Sequence, residues 1–193
     1  MASSTTVANV ALVKLGGSLL TNLDSDNTPR SRKIKAIYDH FRDVELSKHY
    51  WNFAKEYKAI AADSTAPPFG YSYRHLKPAD FLKVYRIRDN GNVLTRITEY
   101  KIVGDYILTD ISGALYLEYV RIITDVNKFH PLFVEALACQ IALQMCEDVT
   151  QSNSKKTILM KEYKEALAEA KKSDAIDEPP QEPVESDYIT VRN

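Results

Sequence analysis

Residues 129–150 read FHPLFVEALACQIALQMCEDVT, the longest apolar stretch in the chain. Pro131 is preorganised for a first helical turn, and neither Gly nor Pro interrupts the run from Leu132 to Thr150. Val134, Leu137, Ala138, Ile141, Met145 and Val149 recur at helical spacing, while Leu132, Phe133, Ala142 and Leu143 widen the apolar face. Gln140, Gln144, Glu147 and Gln151 leave only a narrow polar stripe. A helix apolar over most of its circumference is packed on several sides, so the remaining elements are expected to wrap around it.

The 193 residues suit one domain with an appendage. A hydrophobic share of 45% and a charged share of 26% are those of an ordinary soluble protein, and the net charge of −1 argues against a dedicated nucleic-acid binder. No N-terminal stretch has the layout of a signal peptide, and no apolar run reaches the roughly 18 residues of a membrane span. Synthesis in a cytoplasm without a membrane span is therefore expected. Cys139 and Cys146 stand one above the other on the central helix, roughly 10 Å apart along its axis. That is too far for a disulfide, so both read as small buried hydrophobes.

Before the central stretch, residues 5–15 carry Val7, Val10, Ala11 and Leu15. They predict a short helix capped by Thr5 or Thr6, with Gly16 as its left-handed end. A competing reading takes Lys14, Gly16, Gly17 and Ser18 as the strand-to-glycine-loop opening of a kinase-like, phosphate-binding enzyme. That reading requires a strand before the glycines. Asp24, Asp26 and Thr28 have the spacing of a calcium loop, but Pro29 and Lys35 occupy the positions of its Gly and Glu. Thr28 and Pro29 instead open a second helix over 29–48, whose first turns bear a basic cluster of Arg30, Arg32, Lys33 and Lys35. That cluster could meet phosphates or an acidic neighbouring subunit, or simply face solvent.

Trp51 should anchor the chain as it leaves for a β-rich insertion over about 57–122, read as a small antiparallel meander. Its strands are expected at 57–61, at 82–87 and at 98–102, and again at 106–109 and 115–122. Asp89-Asn90-Gly91-Asn92 marks a tight hairpin turn between the second and third of these. After the central helix at 131–150, a last helix is expected over 154–172, with Leu159, Tyr163, Ala166, Leu167 and Ala170 on one side. Residues 174–193 hold three Pro, the acids Asp174, Asp177, Glu178, Glu182, Glu185 and Asp187, and one base, Arg192. Such a stretch is expected to be extended, and its apolar end (Tyr188, Ile189, Val191, with Arg192) suggests a docking tail. The fold class expected is α+β, a bundle of about four helices with the inserted meander and an extended C-terminal tail.

Catalytic chemistry is not evident. His40, His49, His75 and His130 lie on separate segments without zinc-ligand spacing, and no serine sits in a nucleophile elbow. No catalytic residue, cofactor or metal site is expected.

The order of short motifs carries a resemblance. Ala11-Leu12 and Leu15-Gly16 open the chain, followed by the helix with Tyr38 at its middle, then Trp51, Phe53 and Ala54. Tyr73, Leu76 and the run Pro78-Ala79-Asp80-Phe81-Leu82 come next, and later Tyr119-Val120, Asp125 and Phe129-x-Pro131-Leu132-Phe133. This series resembles the tail tubular protein A and head-to-tail adaptor family of tailed bacteriophages. The resemblance implies a non-enzymatic virion protein at the head–tail junction, made in the host bacterial cytoplasm. It implies a homo-oligomeric ring, commonly of about twelve copies. Such a ring sits below the portal protein, joins a nozzle or other tail component, and extends the channel through which DNA passes without sequence-specific binding.

Overall fold

The computed structural model describes residues 3–88 and 99–177. Helix α1 (Ser4–Leu15) and helix α2 (Pro29–Ser47) lead into a 3-10 turn at Asn52–Ala54. The strands are β1 (Lys55–Ile60), β2 (Tyr73–Leu76), β3 (Phe81–Arg88), β4 (Lys101–Val103), β5 (Tyr106–Thr109) and β6 (Leu115–Arg121). A second 3-10 turn at Val126–Lys128 returns the chain to helix α3 (Pro131–Thr150) and helix α4 (Asn153–Ile176). The fold is α+β, with four helices and two small antiparallel sheets among the described residues.

Helix α3 is the centre of the bundle and packs against each of the other three helices. Phe133, Ala136, Leu137, Ala138, Ile141, Ala142 and Cys146 are wholly buried along it, as its all-round apolar sequence requires. Gln140, placed by periodicity on the polar stripe, is buried as well. Both cysteines are free and buried. Helix α1 begins one step earlier than expected. Ser3 is its cap and shares a capping box with Thr6, while the Thr5 hydroxyl accepts from the Leu23 amide at 3.0 Å and holds the adjoining loop. Gly16 takes the left-handed conformation that ends the helix.

The insertion is two sheets rather than one meander. In the first, β6 lies between β1 and β3; in the second, β5 lies between β2 and β4. The reason is burial. Leu117, Glu118, Tyr119 and Val120 are buried consecutively along β6, which demands neighbours on both edges and cover on both faces. Strand β1, first in the insertion, therefore pairs with β6, the last, with Lys55 opposite Val120 and Ile60 opposite Leu115. Val120 belongs to the helical core, whereas Leu115, Leu117 and Tyr119 build a separate core with Ile60, Val84, Ile87 and Ile107. The third expected strand is the short Lys101–Val103, and the hairpin at 89–92 lies outside the described residues.

The last helix also departs from expectation. It continues past Lys172 to Ile176, so Asp174 and Ala175 belong to the bundle and not to the tail. Asp174 is buried, and its contacts with the start of the insertion hold that final turn in place. The tail thus begins after α4, and residues 178–193 lie outside the described part of the chain.

Gln151 links α3 to α4 in a left-handed conformation, φ 50°, the one non-glycine residue so placed among the described residues. A side chain costs about 1–2 kcal/mol in that region, partly offset by the greater freedom of glycine in the unfolded chain. Gln151→Gly is expected to raise stability by about 0.5–1 kcal/mol, read as a higher urea midpoint at unchanged slope.

Candidate functional site

The basic cluster at the start of α2 does not converge on one point. The Thr28 hydroxyl accepts from the Ser31 amide at 3.1 Å, and the helix then presents its cations on different sides. Lys33 is ion-paired with Asp148 of α3, and Lys35 lies 3.3 Å from the Asp24 carboxylate. Two of the four charges are therefore used within the chain. Arg32 is exposed. Half-buried Arg30 lines a shallow recess of about 350 Å³ with Ser18, Leu19, Leu20, Thr28 and Pro29. Arg30 and Arg32 are the members without an ion pair among the described residues, each offering a single charge to a phosphate or an acidic partner. The tail residues Tyr188, Ile189, Val191 and Arg192 lie outside the described residues.

The strand required by the phosphate-binding reading of Lys14-Gly16-Gly17-Ser18 is a helix through Leu15. The Lys14 ammonium is committed to carboxylates, 2.7 Å from Glu135 and 3.7 Å from Glu162. Burial alone would pull this lysine down, but the hydrogen bond and charge of Glu135 outweigh it and hold it above its ordinary value. Beside it, burial pushes the Cys139 thiol up, away from the thiolate that nucleophilic or metal chemistry needs. Lys14 is thus a cross-link between α1, α3 and α4.

A polar site that the sequence did not announce joins α2, the first 3-10 turn and α4. Glu45 is wholly buried, and its carboxylate accepts from Lys48 Nζ at 2.6 Å and from the Tyr163 hydroxyl at 2.9 Å. Its backbone carbonyl accepts from Trp51 Nε1 at 2.9 Å. Burial raises the Tyr163 phenol. It would lower Lys48, were it not for hydrogen bonds to Glu45 and Tyr163 that raise it instead. About three turns further along α4, Asp174 accepts from the Asn52 amide at 2.9 Å and pairs with His49 Nε2 at 3.1 Å. Asn52 Nδ2 donates to the Asp174 carbonyl at 2.6 Å. These groups hold one another. The signal was present in α4, since Leu159, Tyr163, Ala170 and Asp174 continue one helical stripe, but an acid beyond a lysine pair reads locally as solvent-facing.

On the first sheet, Arg88 and Glu118 form a buried ion pair, 2.6 Å apart, at a recess of about 300 Å³. The rest of its lining comes from Tyr57, Lys58, Ala59, Tyr116 and Leu117. His75 is buried between the sheets, its ring nitrogens 3.2 Å from the Ile60 carbonyl and 3.3 Å from that of Ile111. Among the described residues no group of three or more His, Cys, Asp or Glu is placed to hold a metal. No helix among them is long and apolar enough to cross a membrane.

No protein-family model matches the chain, and no curated protein sequence matches it.

The Glu45 carboxylate lies in the bundle, so losing a donor leaves part of a buried charge unsatisfied. Tyr163→Phe is expected to cost about 1–3 kcal/mol, measured by urea unfolding. With Glu45 replaced by Gln, the same change should cost measurably less, and the double-mutant cycle reads the difference.

Proposed function

We propose that the chain is a head-to-tail adaptor of a tailed bacteriophage, a structural virion protein that forms a ring below the portal. The observation that supports it is the architecture. Two helices, a β insertion closed at its base and two further helices succeed one another, in keeping with the helical bundle with a β-rich insertion that the resemblance implies. The helical course of α1 weighs against the phosphate-binding alternative, which needs a strand there.

A closed ring of identical copies requires two different, complementary faces on each subunit. Suitable positions exist: Ile158 and Met160 are exposed on α4 and Val13 on α1, while Arg30 and Arg32 offer charge at the start of α2. In this reading the apolar end of the tail (Tyr188, Ile189, Val191, with Arg192) meets the portal protein, the ring's opposite side meets a nozzle or other tail component, and DNA passes through the centre. A net charge of −1 suits a conduit, because strong phosphate clamps would impede sliding. The site of action is the head–tail junction of the virion, reached after synthesis in the host bacterial cytoplasm.

Mixing the purified chain with portal rings should give a stacked ring of subunits, commonly about twelve, in electron micrographs. Met160→Glu should leave the circular dichroism spectrum intact and abolish that ring. Truncation after Asp177 should preserve the melting temperature to within a few degrees while removing attachment to the portal. A chain that stays monomeric on portal rings, or that binds duplex DNA tightly and sequence-specifically, would overturn the assignment.

A further inference from the structure

Where α4 ends, a continuous line of contacts leads onto the first sheet. The Asp174 carbonyl is bonded to Asn52, and Asn52 Oδ1 accepts from Lys55 Nζ at 2.7 Å. The Lys55 ammonium lies 4.3 Å above the Tyr85 ring, which also carries the Arg86 guanidinium at 4.5 Å. Tyr85 packs against Tyr50 with centroids 4.9 Å apart, and Lys83 Nζ sits 3.8 Å above Tyr50. Lys55 and Lys83 stand on opposite sides of Val120 in the sheet register, so the three cations cross from β1 to β3.

The acceptors that position two of these cations are neutral. Lys83 Nζ donates to the Ser47 carbonyl at 3.2 Å, and Arg86 Nη2 to the Tyr85 hydroxyl at 2.8 Å. Neither has a carboxylate partner among the described residues, in contrast to Lys14, Lys33, Lys35 and Lys48. Two half-buried cations stacked on aromatic rings and left unneutralised make a surface for an anionic chain.

We propose that this surface is occupied by the acidic segment 178–187 of the same chain, with Glu178, Glu182, Glu185 and Asp187 facing Lys55, Lys83 and Arg86. Three features select this occupant. The end of α4 is delivered to Asn52, directly beside the row. The segment carries four acids and no base. Its length is also sufficient, since ten extended residues span about 33–36 Å while three strands are only about 10 Å across. Each ion pair at such a half-exposed position is weak and screened by salt. Attachment to α4 supplies what they lack, an effective concentration on the order of millimolar. The acidic spacer is thereby held on its own sheet, and the apolar end beyond it is presented from a fixed place. This holds whether or not the partner of that end is a portal.

Carbodiimide cross-linking of the full-length chain, followed by peptide mapping, tests the assignment. Amide bonds are expected between Lys55 or Lys83 and one of Glu178, Glu182, Glu185 and Asp187, within one chain and in a yield independent of protein dilution. Arg86→Glu, which leaves both lysines in place, should lower that yield several-fold, as should high salt. The Lys33–Asp148 pair serves as an internal control for the chemistry. Control cross-links without those to the tail would overturn the proposal, as would tail cross-links that form only between chains.

Discussion

Four aromatic rings fix the relation between bundle and insertion. Trp51 and Phe53 stand where the chain leaves the helices, Phe129 where it returns, and Phe133 in the first turn of α3. Phe133 is wholly buried, with ring centroids 5.1 Å from Trp51, 5.1 Å from Phe53 and 5.0 Å from Phe129, in edge-on arrangements. Such pairs contribute about 0.5–1.5 kcal/mol each beyond the area they bury. Their greater importance is geometric. Entry and exit of the insertion are held at one point, so β1 and β6 begin their pairing already side by side.

The polar contacts around that point add direction. Glu45 accepts from Lys48 and Tyr163 within the bundle, and Asp174, about three turns along α4 from Tyr163, is bonded to His49 and Asn52. A buried carboxylate has a large desolvation cost, and its hydrogen bonds offset rather than exceed it. An apolar substitute could pack as well but would tolerate a rotation of α4 by part of a turn. With carboxylates at Glu45 and Asp174, only one rotation satisfies both. The network sets the phase of the last helix, and so where the chain emerges from it.

How far the sequence was readable depended on the range of the interactions. Pro29 and Pro131 at helix starts, Gly16 at a helix end and the apolar run of α3 each act within a few residues, and the elements they mark lie where local chemistry places them. Strand partners were not readable in that way. Leu115, Leu117 and Tyr119 alternate like any half-buried strand, and only the burial of Glu118 and Val120 between them reveals a central position. The same limit hid the bundle's polar site, because Glu45 finds Tyr163 and Lys48 only after α2 and α4 have docked. Lys14 shows the converse error. A lysine before two glycines suggests phosphate when read locally, but its ammonium is taken up by acids from two other helices. The basic cluster of α2 was legible as a set of charges; that two of its members are neutralised depends on Asp148 and Asp24.

The pairing of the insertion's first strand with its last also sets an order of events. Helices α3 and α4 meet across Gln151 and Ser152 alone, so their contacts close a very short loop. The β1–β6 ladder closes one that contains nearly the whole insertion, with Ile60 opposite Leu115 as its innermost pair. Loop-closure entropy grows slowly with length, by about 0.6 kcal/mol per doubling, but it is spent before any long-range contact offsets it. The α3–α4 hairpin can therefore form early and independently, while the first sheet must wait for the aromatic rings to bring its ends together. A ribosome releasing this chain from its N-terminus withholds β6 and α3 until well after β1 has emerged. Over that interval the exposed edge of β1, with Tyr57 standing out from it, has no partner of its own.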